Sequence, residues 1–148
     1  MSDPAGSKEP EPIEHLFSAT LRIFGEGVPF DEIEQTLGLE PTHRHERGEE
    51  KPGRTASWQN DMWSYQVPVE RERPAVEHVD ALWRVLSPHT SFLRALKNRP
   101  GCTVDIYLSY FSNWPDGGVV IPHRSLEMFT TLEVPFGLSI IATGSADR

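Results

Sequence analysis

The sequence predicts an α+β fold, in which a single, mainly antiparallel sheet has helices on one face in a loosely ferredoxin-like arrangement. Three observations support this prediction. Residues 103–110 alternate between polar and apolar side chains, which is typical of a half-buried strand, and similar stretches lie nearer both ends of the chain. Stretches with apolar residues at helical spacing separate these strands. Glycine and proline mark the boundaries. We therefore expect about four to six strands, covered on one side.

A change of period indicates the first strand and the first helix. Residues 15–24 place every second side chain on an apolar side, and a glycine follows the stretch. Pro29 then begins a helix over 30–37, because proline is favoured in the first helical turn. Gly38 follows this helix, in the position where glycine commonly ends one.

The middle of the chain is predicted to contain a charged loop, a strand and two consecutive helices. Residues 42–54 have no hydrophobic period, so we expect a mobile charged loop with a short edge strand near 43–47. Alternation returns over 58–69 and predicts a strand. Apolar residues at helical spacing then predict helices over 74–86 and 89–97.

The last third of the chain is predicted to complete the sheet. The central strand, 102–111, is followed by turn residues and a short strand over 119–121. A helix over 123–132 and a final strand over 136–142 come next.

Two segments of the chain resemble one another. Residues 31–41 and 126–135 share a threonine, a leucine, an aliphatic residue and a nearby proline in register. This pattern allows an internal pseudo-duplication of a strand–helix–strand unit. The alternative is that any amphipathic helix before a strand gives the same pattern.

Length and local composition predict one folded domain between two tails. The chain has 148 residues, which is an ordinary size for a single domain. Residues 1–14 are acidic and rich in proline, so we expect a disordered tail there. Residues 15–142 should form the single α+β domain, and the small polar residues 143–148 should form a frayed tail.

Charge and cysteine content restrict the classes of partner and the compartment. The net charge is −8, from 22 acidic and 14 basic residues, which argues against binding to a phosphate backbone. Cys102 is the single cysteine, so no intrachain disulfide can form and a reducing compartment is expected. No apolar stretch approaches the about 20 residues of a membrane helix. We expect a cytoplasmic protein that binds neither nucleic acid nor membrane.

Several short motifs occur in an order that resembles a known family. They are Leu-Gly-Leu-Glu-Pro-Thr at 37–42, Gly-Glu at 48–49, Trp58, Gly-Gly-Val-Val-Ile-Pro at 117–122 and the leucine-bounded helix 126–132. Together they are similar to the bacterial DUF4279 family of domains of unknown function, over about residues 15–142. The resemblance implies a compact α+β domain with a sheet backed by helices. It implies no activity, cofactor or catalytic residue. Families of this kind often occur near toxin genes, which makes an inhibitor role conceivable.

The sequence contains no complete catalytic or metal-binding motif. His43 and His45 would point to the same side of a strand, but zinc needs a third and a fourth ligand. Cys102 lies at a strand entrance, where a free cysteine usually acts as a small buried apolar residue. An enzymatic role is therefore unsupported, and we expect no catalytic residue, no metal ligand and no cofactor.

Alternation places charged and aromatic residues on the sheet face that the helices leave open. The set is Arg22, Asp105, Tyr107 and Phe111, with Trp58 at the margin and Arg44 and Arg47 on the charged loop beside it. One interpretation is a solvated face with cross-strand pairs such as Arg22–Asp105. The other, which we adopt as the site hypothesis, is a platform on which a ligand or partner stacks.

Three functions remain open on the sequence alone. The leading hypothesis is a non-enzymatic interaction domain, in one form a cytoplasmic inhibitor or immunity-type protein that binds a partner protein. The alternative is a domain that binds a small molecule. The second alternative is a metal-dependent hydrolase or nuclease that uses His43 and His45. The oligomeric state is left open.

Overall fold

The computed structural model describes residue 12 and the stretches 14–114 and 117–144. The remaining parts of the two predicted tails lie outside the described residues, as do residues 115–116 of the turn after the central strand.

The described residues form five strands and four α-helices. In chain order these are β1 (His15–Gly25), α1 (Phe30–Leu37), β2 (His43–His45), β3 (Asp61–Gln66), α2 (Ala75–Leu86), α3 (Thr90–Lys97), β4 (Thr103–Ser112), α4 (Glu127–Leu132) and β5 (Phe136–Ala142). Short 3₁₀ turns, Ser87–His89 and His123–Leu126, precede α3 and α4. None of these helices combines the length and the apolar character needed to cross a bilayer.

The strands form one mixed sheet in the order β2-β3-β1-β4-β5. The pairs β2–β3, β3–β1 and β1–β4 are antiparallel, whereas β4–β5 is parallel. The parallel pair arises because the chain crosses through α4 between β4 and β5, and a crossover returns the second strand in the same direction. The predicted α+β class and single sheet are confirmed, with one parallel pair at the β5 edge.

The structure corrects two predicted strands. Residues 119–121 form no strand, since the three apolar residues lie between two glycines and a proline and have no partner strand among the described residues. The strand predicted over 58–69 is shorter, Asp61–Gln66. Pro68 has no N–H to donate to a neighbouring strand, which helps to limit its length.

The charged loop before β3 contains paired backbone. Trp58 N–H donates to Glu49 O at 2.8 Å, and Gly48 N–H donates to Trp58 O at 2.9 Å. Glu50 and Ser57 form an isolated antiparallel bridge. The loop is thus a hairpin whose second arm brings Trp58 back towards β2. The short edge strand predicted within it is β2.

The hydrophobic core lies between one face of the sheet and the helices. Alternate residues of β1 and β4 supply the sheet side of this core, which includes Ala19, Leu21, Ile23, Val104, Ile106 and Leu108. The helices supply buried residues at helical spacing, including Ile33, Leu37, Val79, Leu82, Leu86, Leu93, Leu96, Met128 and Leu132. The opposite face of the sheet, called the open face below, has no helix packed on it among the described residues.

Candidate functional site

The centre of the open face is a charged pair stacked on an aromatic ring. Arg22 lies directly across from Asp105 in the β1–β4 register. Its Nε donates to Asp105 Oδ1 at 2.8 Å, and its Nη2 donates to Oδ2 at 2.7 Å. The guanidinium carbon lies 4.0 Å from the centroid of the Tyr107 ring and 5.2 Å from that of Phe24. The predicted cross-strand pair is therefore present, with two rings packed on the guanidinium.

This pair is less exposed than an ordinary surface ion pair, so water and salt screen it less. The side chain of Arg22 is 30% exposed and that of Asp105 is 12% exposed. A two-point arginine–carboxylate contact fixes orientation as well as charge. The hydrogen bonds that Arg22 donates to Asp105 raise the pKa of Arg22, although burial alone would lower it. The two opposite charges offset each other, so the pair presents a flat, nearly neutral surface at the centre of the face.

Tyr107 can lean towards the β5 edge because its neighbour there has no side chain. Tyr107 is paired with Gly137 in the parallel register. A Cβ at position 137 would collide with the Tyr107 ring. The glycine thus provides the space into which the ring extends, as in other pairings of an aromatic residue with a strand glycine.

A cleft of about 500 Å³ lies on the open face towards the start of β1. Its lining combines apolar side chains with hydroxyl, amide and guanidinium groups. The lining residues are Leu16, Ser18, Gln66, Arg71, Ser109, Tyr110, Phe111, Ser139 and Ile141. Arg71 is exposed, and no acidic side chain in the described part of the chain lies within ion-pairing distance of it. The cleft can therefore hold an apolar group and also hydrogen-bond a polar one.

A second cluster of aromatic side chains closes the opposite end of the open face. His45 stacks on Trp58 with ring centroids 3.8 Å apart and planes 9° apart. His43 Nε2 and His45 Nδ1 are 2.7 Å apart, so one nitrogen donates a hydrogen bond to the other. Lys51 Nζ lies 5.0 Å from the centroid of Trp58 on the other arm of the hairpin. A smaller cleft of about 260 Å³ lies beside this cluster.

Burial favours the neutral form of His45. His45 is 6% exposed. Burial lowers the pKa of His45, and the neighbouring His43 lowers it further. His45 is accordingly neutral near pH 7, which is consistent with its stacking on Trp58 and its hydrogen bond to His43.

Comparison with protein families matches residues 15–143 of the 148-residue chain to Domain of unknown function (DUF4279). The chain belongs to the DUF4279 family. The match covers all five strands and all four helices described above. A search of curated proteins found no match, and a search of solved structures found none. The description of the family names no function, so any role for this DUF4279 domain must be argued from its own residues.

The structure separates the predicted site residues of the DUF4279 domain into three groups. Arg22, Asp105 and Tyr107 are in mutual contact at the centre of the open face. Phe111 lies further along β4 and lines the larger cleft. Trp58 lies at the far end, where it stacks on His45. These residues thus follow the open face from one end to the other.

The structure corrects the predicted position of Arg44. Arg44 is paired with Trp63, which is a core residue, so its side chain lies on the helix-covered side of the sheet. There it forms an ion pair with Glu34 of α1 at 3.1 Å and stacks over the ring of Phe30 at 4.2 Å. Its neighbours His43 and His45 face the open side instead. Arg44 therefore does not flank the open face.

Arg47 lies just beyond β2 and contributes mainly through its backbone. Its N–H donates to Asp61 Oδ1 at 2.8 Å. Its exposed guanidinium pairs loosely with Glu26 at 3.6 Å. The side chain remains accessible to a partner, but it does not contact the Arg22 pair.

His43 and His45 are adjacent, as predicted for alternate residues of a strand. Within the described stretches, no group of three or more His, Cys, Asp and Glu side chains is placed to hold a metal ion. The two histidines instead hydrogen-bond each other.

Cys102 is a buried residue of the core side. Its thiol donates to Gly27 O at 3.2 Å, and burial raises its pKa. A neutral thiol of this kind is a poor nucleophile.

Sequence reasoning missed most of the residues that line the larger cleft. Leu16 and Ser18 lie on the Arg22 row of β1, and Ser139 and Ile141 lie on the equivalent row of β5, so alternation could have found all four. Arg71 lies in a segment without regular secondary structure after β3, so no hydrophobic period in the sequence indicates its position. It is fixed beside β1 because Phe17 N–H donates to Arg71 O at 2.8 Å.

Proposed function

We propose that this DUF4279 domain is a non-enzymatic interaction domain that binds a segment of a partner protein across the open face of its sheet. The observation that supports the proposal is the continuous row formed by the Arg22–Tyr107 stack, Phe111 and the adjoining cleft. Aromatic rings and arginine are the residues that most often dominate binding energy at protein interfaces. They are held here by backbone pairing, so little ordering is needed on binding.

The shape of the open face favours a polypeptide over a compact ligand. The larger cleft lies at one end of the face, and the smaller cleft lies beside Trp58 at the other end, with Tyr107 between them. The lining of the larger cleft offers apolar contacts from Leu16, Phe111 and Ile141 next to hydroxyl and amide groups. A partner segment with one apolar side chain in the cleft and its backbone along the face satisfies both kinds of contact.

The overall charge of the chain suits a basic partner. The net charge is −8. Arg22 is neutralised by Asp105, so the centre of the face does not repel positive charge. We include in the proposal a cytoplasmic location, because the single cysteine is a free, buried thiol. An inhibitor or immunity-type protein is one form that this function would take.

Capture of a partner by wild type and by variants of the open face tests the proposal. Tyr107→Ala removes the ring that packs on Arg22, and Ser109→Arg places a long side chain in the cleft. Each variant is expected to weaken partner binding by about fivefold or more. Val120→Ala, at an exposed apolar residue outside the face, is the matched control and is expected to bind normally.

Binding would be measured by titration with the purified partner after a circular dichroism check of folding. Normal affinity in both Tyr107→Ala and Ser109→Arg would overturn the proposed face.

A small-molecule site is the second candidate function. The observation that favours it is the cleft volume of about 500 Å³, which lies within the roughly 300–1,000 Å³ typical of ligand pockets. Screening for compounds that raise the melting temperature of wild type, but not of Ser109→Arg, would identify such a ligand. A compound that passes this test and excludes the partner would assign both roles to one cleft.

We also propose that the first four strands have a ferredoxin-like arrangement. The spatial order β2-β3-β1-β4, with helices between β1 and β2 and between β3 and β4, has the order of the split βαβ motif. β5 then adds a parallel edge strand beyond β4. A solved structure of a second family member with the same order would test this proposal.

The internal pseudo-duplication is supported by matched helix ends. Gly38 after α1 and Glu133 after α4 both adopt left-handed backbone, with φ of 65° and 56°. Each donates its N–H to the carbonyl four residues earlier, Glu34 and Phe129. The two units differ in that β3 separates β1 from β2, whereas β4 and β5 are adjacent.

A further inference from the structure

The outer edge of β5, called the β5 edge below, lacks the features that keep sheet edges apart. Its seven residues, Phe-Gly-Leu-Ser-Ile-Ile-Ala, include no charge and no proline. The opposite edge strand, β2, has three residues and carries Arg44 between two histidines. Short, charged strands resist pairing with another chain, whereas long, neutral ones invite it. The two edges of this sheet therefore differ in their capacity to extend it.

The side chains of β5 also leave a large apolar surface uncovered. Phe136, Leu138 and Ile140 continue the core-facing row of β4, but they are 43%, 47% and 60% exposed. Ile141, on the open face, is 56% exposed. Phe136 also contacts the buried Phe129 of α4, with ring centroids 4.9 Å apart, so the helix covers only part of its ring. Contiguous exposed apolar residues of this kind mark interaction sites.

The backbone directions along β5 are fixed by its pairing with β4. Pro135 O accepts a hydrogen bond from Ile106 N–H, and Thr143 N–H donates to Ser112 O. Backbone groups of successive residues point to opposite sides of a strand. The backbone N–H and C=O groups of the odd-numbered residues between Pro135 and Thr143 therefore point to β4. Phe136, Leu138, Ile140 and Ala142 point their N–H and C=O groups away from the sheet.

We propose that the β5 edge pairs with the β5 edge of a second copy of this chain, antiparallel, about a two-fold axis at Ser139. In this register Leu138 faces Ile140 of the second copy, and Phe136 faces Ala142 of the second copy. All four of these residues have outward backbone groups, so the pairing forms about eight hydrogen bonds. Ser139 meets Ser139 of the second copy as a pair without backbone hydrogen bonds.

The occupant is a second copy because the strand is complementary to itself in this register. On the helix side, the largest residue, Phe136, faces the smallest, Ala142, and Leu138 faces the similar Ile140. On the open face, Ile141 of the second copy faces Gly137. The strand contains no charged residue. Two copies of a chain with a net charge of −8 can therefore pair along it without contacts between like charges. A strand with charged side chains would leave these charges against apolar residues.

This pairing would change the environment of the open face. Ile141 of the second copy, opposite Gly137, would lie next to the Tyr107 ring, which extends over that glycine. Ser139 and Ile141 form the outer wall of the larger cleft, so the two clefts would lie side by side on one continuous sheet. The dimer proposal rests on β5 alone and holds whether or not the open face binds a partner protein.

Analytical ultracentrifugation of the full chain tests the dimer. Wild type, at concentrations from micromolar to hundreds of micromolar, is expected to sediment at twice the monomer mass of 16.7 kDa. Ile140→Lys puts a charge into the apolar pairing and is expected to sediment as a monomer with an unchanged far-ultraviolet spectrum. Ser57→Lys is the matched control, since it adds the same charge at an exposed strand-like position on the opposite edge. A monomeric wild type, or a dimeric Ile140→Lys, would overturn the proposal.

Disulfide trapping tests the register independently of charge. In a Cys102→Ala background, Ser139→Cys would bring two thiols together on the two-fold axis. Facing residues without backbone hydrogen bonds have Cα atoms about 4.5 Å apart, which a disulfide can span. Under mild oxidation this variant is expected to form a covalent dimer about tenfold faster than Ser57→Cys in the same background. Equal rates for the two variants would contradict the two-fold axis at Ser139.

Discussion

Arg22 and Asp105 illustrate how burial, more than distance, sets the free-energy cost of removing one partner of an ion pair. Arg73, just before α2, and Glu77, in the first turn of α2, are as close, at 2.6 Å, but their side chains are 56% and 41% exposed. The Arg22–Asp105 side chains are 30% and 12% exposed. Removing one partner of the less exposed pair leaves a charge that water cannot fully solvate.

We therefore predict different effects of removing the acidic partner from each pair. Asp105→Ala is expected to lower the free energy of unfolding by about 2 kcal/mol, less than for a fully buried pair because Arg22 retains some contact with water. Glu77→Ala is expected to have a much smaller effect, because water screens this exposed pair and solvates the charge left behind. Urea denaturation of the two variants gives the comparison. Equal losses would show that the open face does not shield the Arg22 pair.

Two buried histidines, His45 and His78, predict a loss of stability at mildly acidic pH. Burial lowers the pKa of both His45 and His78 from the ordinary value of 6.5. Between 6.5 and the lower folded values the unfolded chain binds more protons, so the free energy of unfolding falls as pH falls. The groups that face His45 are His43, Glu49 and Asp61. A backbone hydrogen bond with Asn60 and the two carboxylates oppose the shift, but burial and His43 outweigh them.

Unfolding experiments at several pH values measure this effect. His45→Phe keeps the stacking on Trp58 without a titrating group. Its stability is expected to fall less steeply than that of wild type between about pH 7 and pH 5, with the remaining slope due to His78 and, near pH 5, to Glu32 and Glu77, whose pKa values are also lowered. An unchanged slope in His45→Phe would assign the pH dependence to other groups.

At the level of single residues, the sequence could place side chains only where a strand had been recognised. Alternation put Arg22, Asp105 and Tyr107 on one face, and the register confirms it. The short edge strand expected near 43–47 had no hydrophobic period to show which of its sides faced the core, so the orientation of Arg44 could not be inferred. The pairing of Arg44 with the core residue Trp63 turns it towards α1.

At the level of elements, prediction succeeded where a pattern was long. β4 alternates over ten residues, and both of its ends are marked by turn residues, so its limits were predicted closely. The strand expected over 119–121 was wrong because three apolar residues satisfy a strand pattern by chance. The hairpin at Trp58 could not be predicted, since its pairing depends on backbone bonds between charged segments that have no hydrophobic period.

The central strand provides a sharp test of which face is covered. Leu108 is 1% exposed on the helix side of β4, and Ser109 is half-buried on the open face. Leu108→Asp buries a carboxylate without a partner and is expected to abolish cooperative folding, since the penalty is several kcal/mol. Ser109→Asp should leave a cooperative melt. Thermal denaturation would contradict the assigned faces if Leu108→Asp melted like wild type.

At the level of the whole molecule, the net negative charge and the proposed contact surface lie in different places. Most arginines of the described residues form ion pairs, such as those of Arg99 with Glu32 and Arg94 with Glu133. The net charge of −8 therefore comes from acidic side chains outside such pairs and acts over distance. The open face, in contrast, is nearly neutral at its centre. Long-range attraction of a basic partner and direct contact with it would therefore depend on different parts of the surface.

This separation predicts distinct kinetic effects on partner binding. If the partner is basic, its association rate is expected to fall about tenfold between low salt and roughly 0.5 M salt, because salt screens the long-range attraction. Tyr107→Ala should leave the association rate and its salt dependence unchanged while raising the dissociation rate, since the ring acts only in the bound complex. Surface plasmon resonance with the purified partner measures both rates. An association rate independent of salt would exclude a basic partner, and a change confined to association in Tyr107→Ala would remove the ring from the contact.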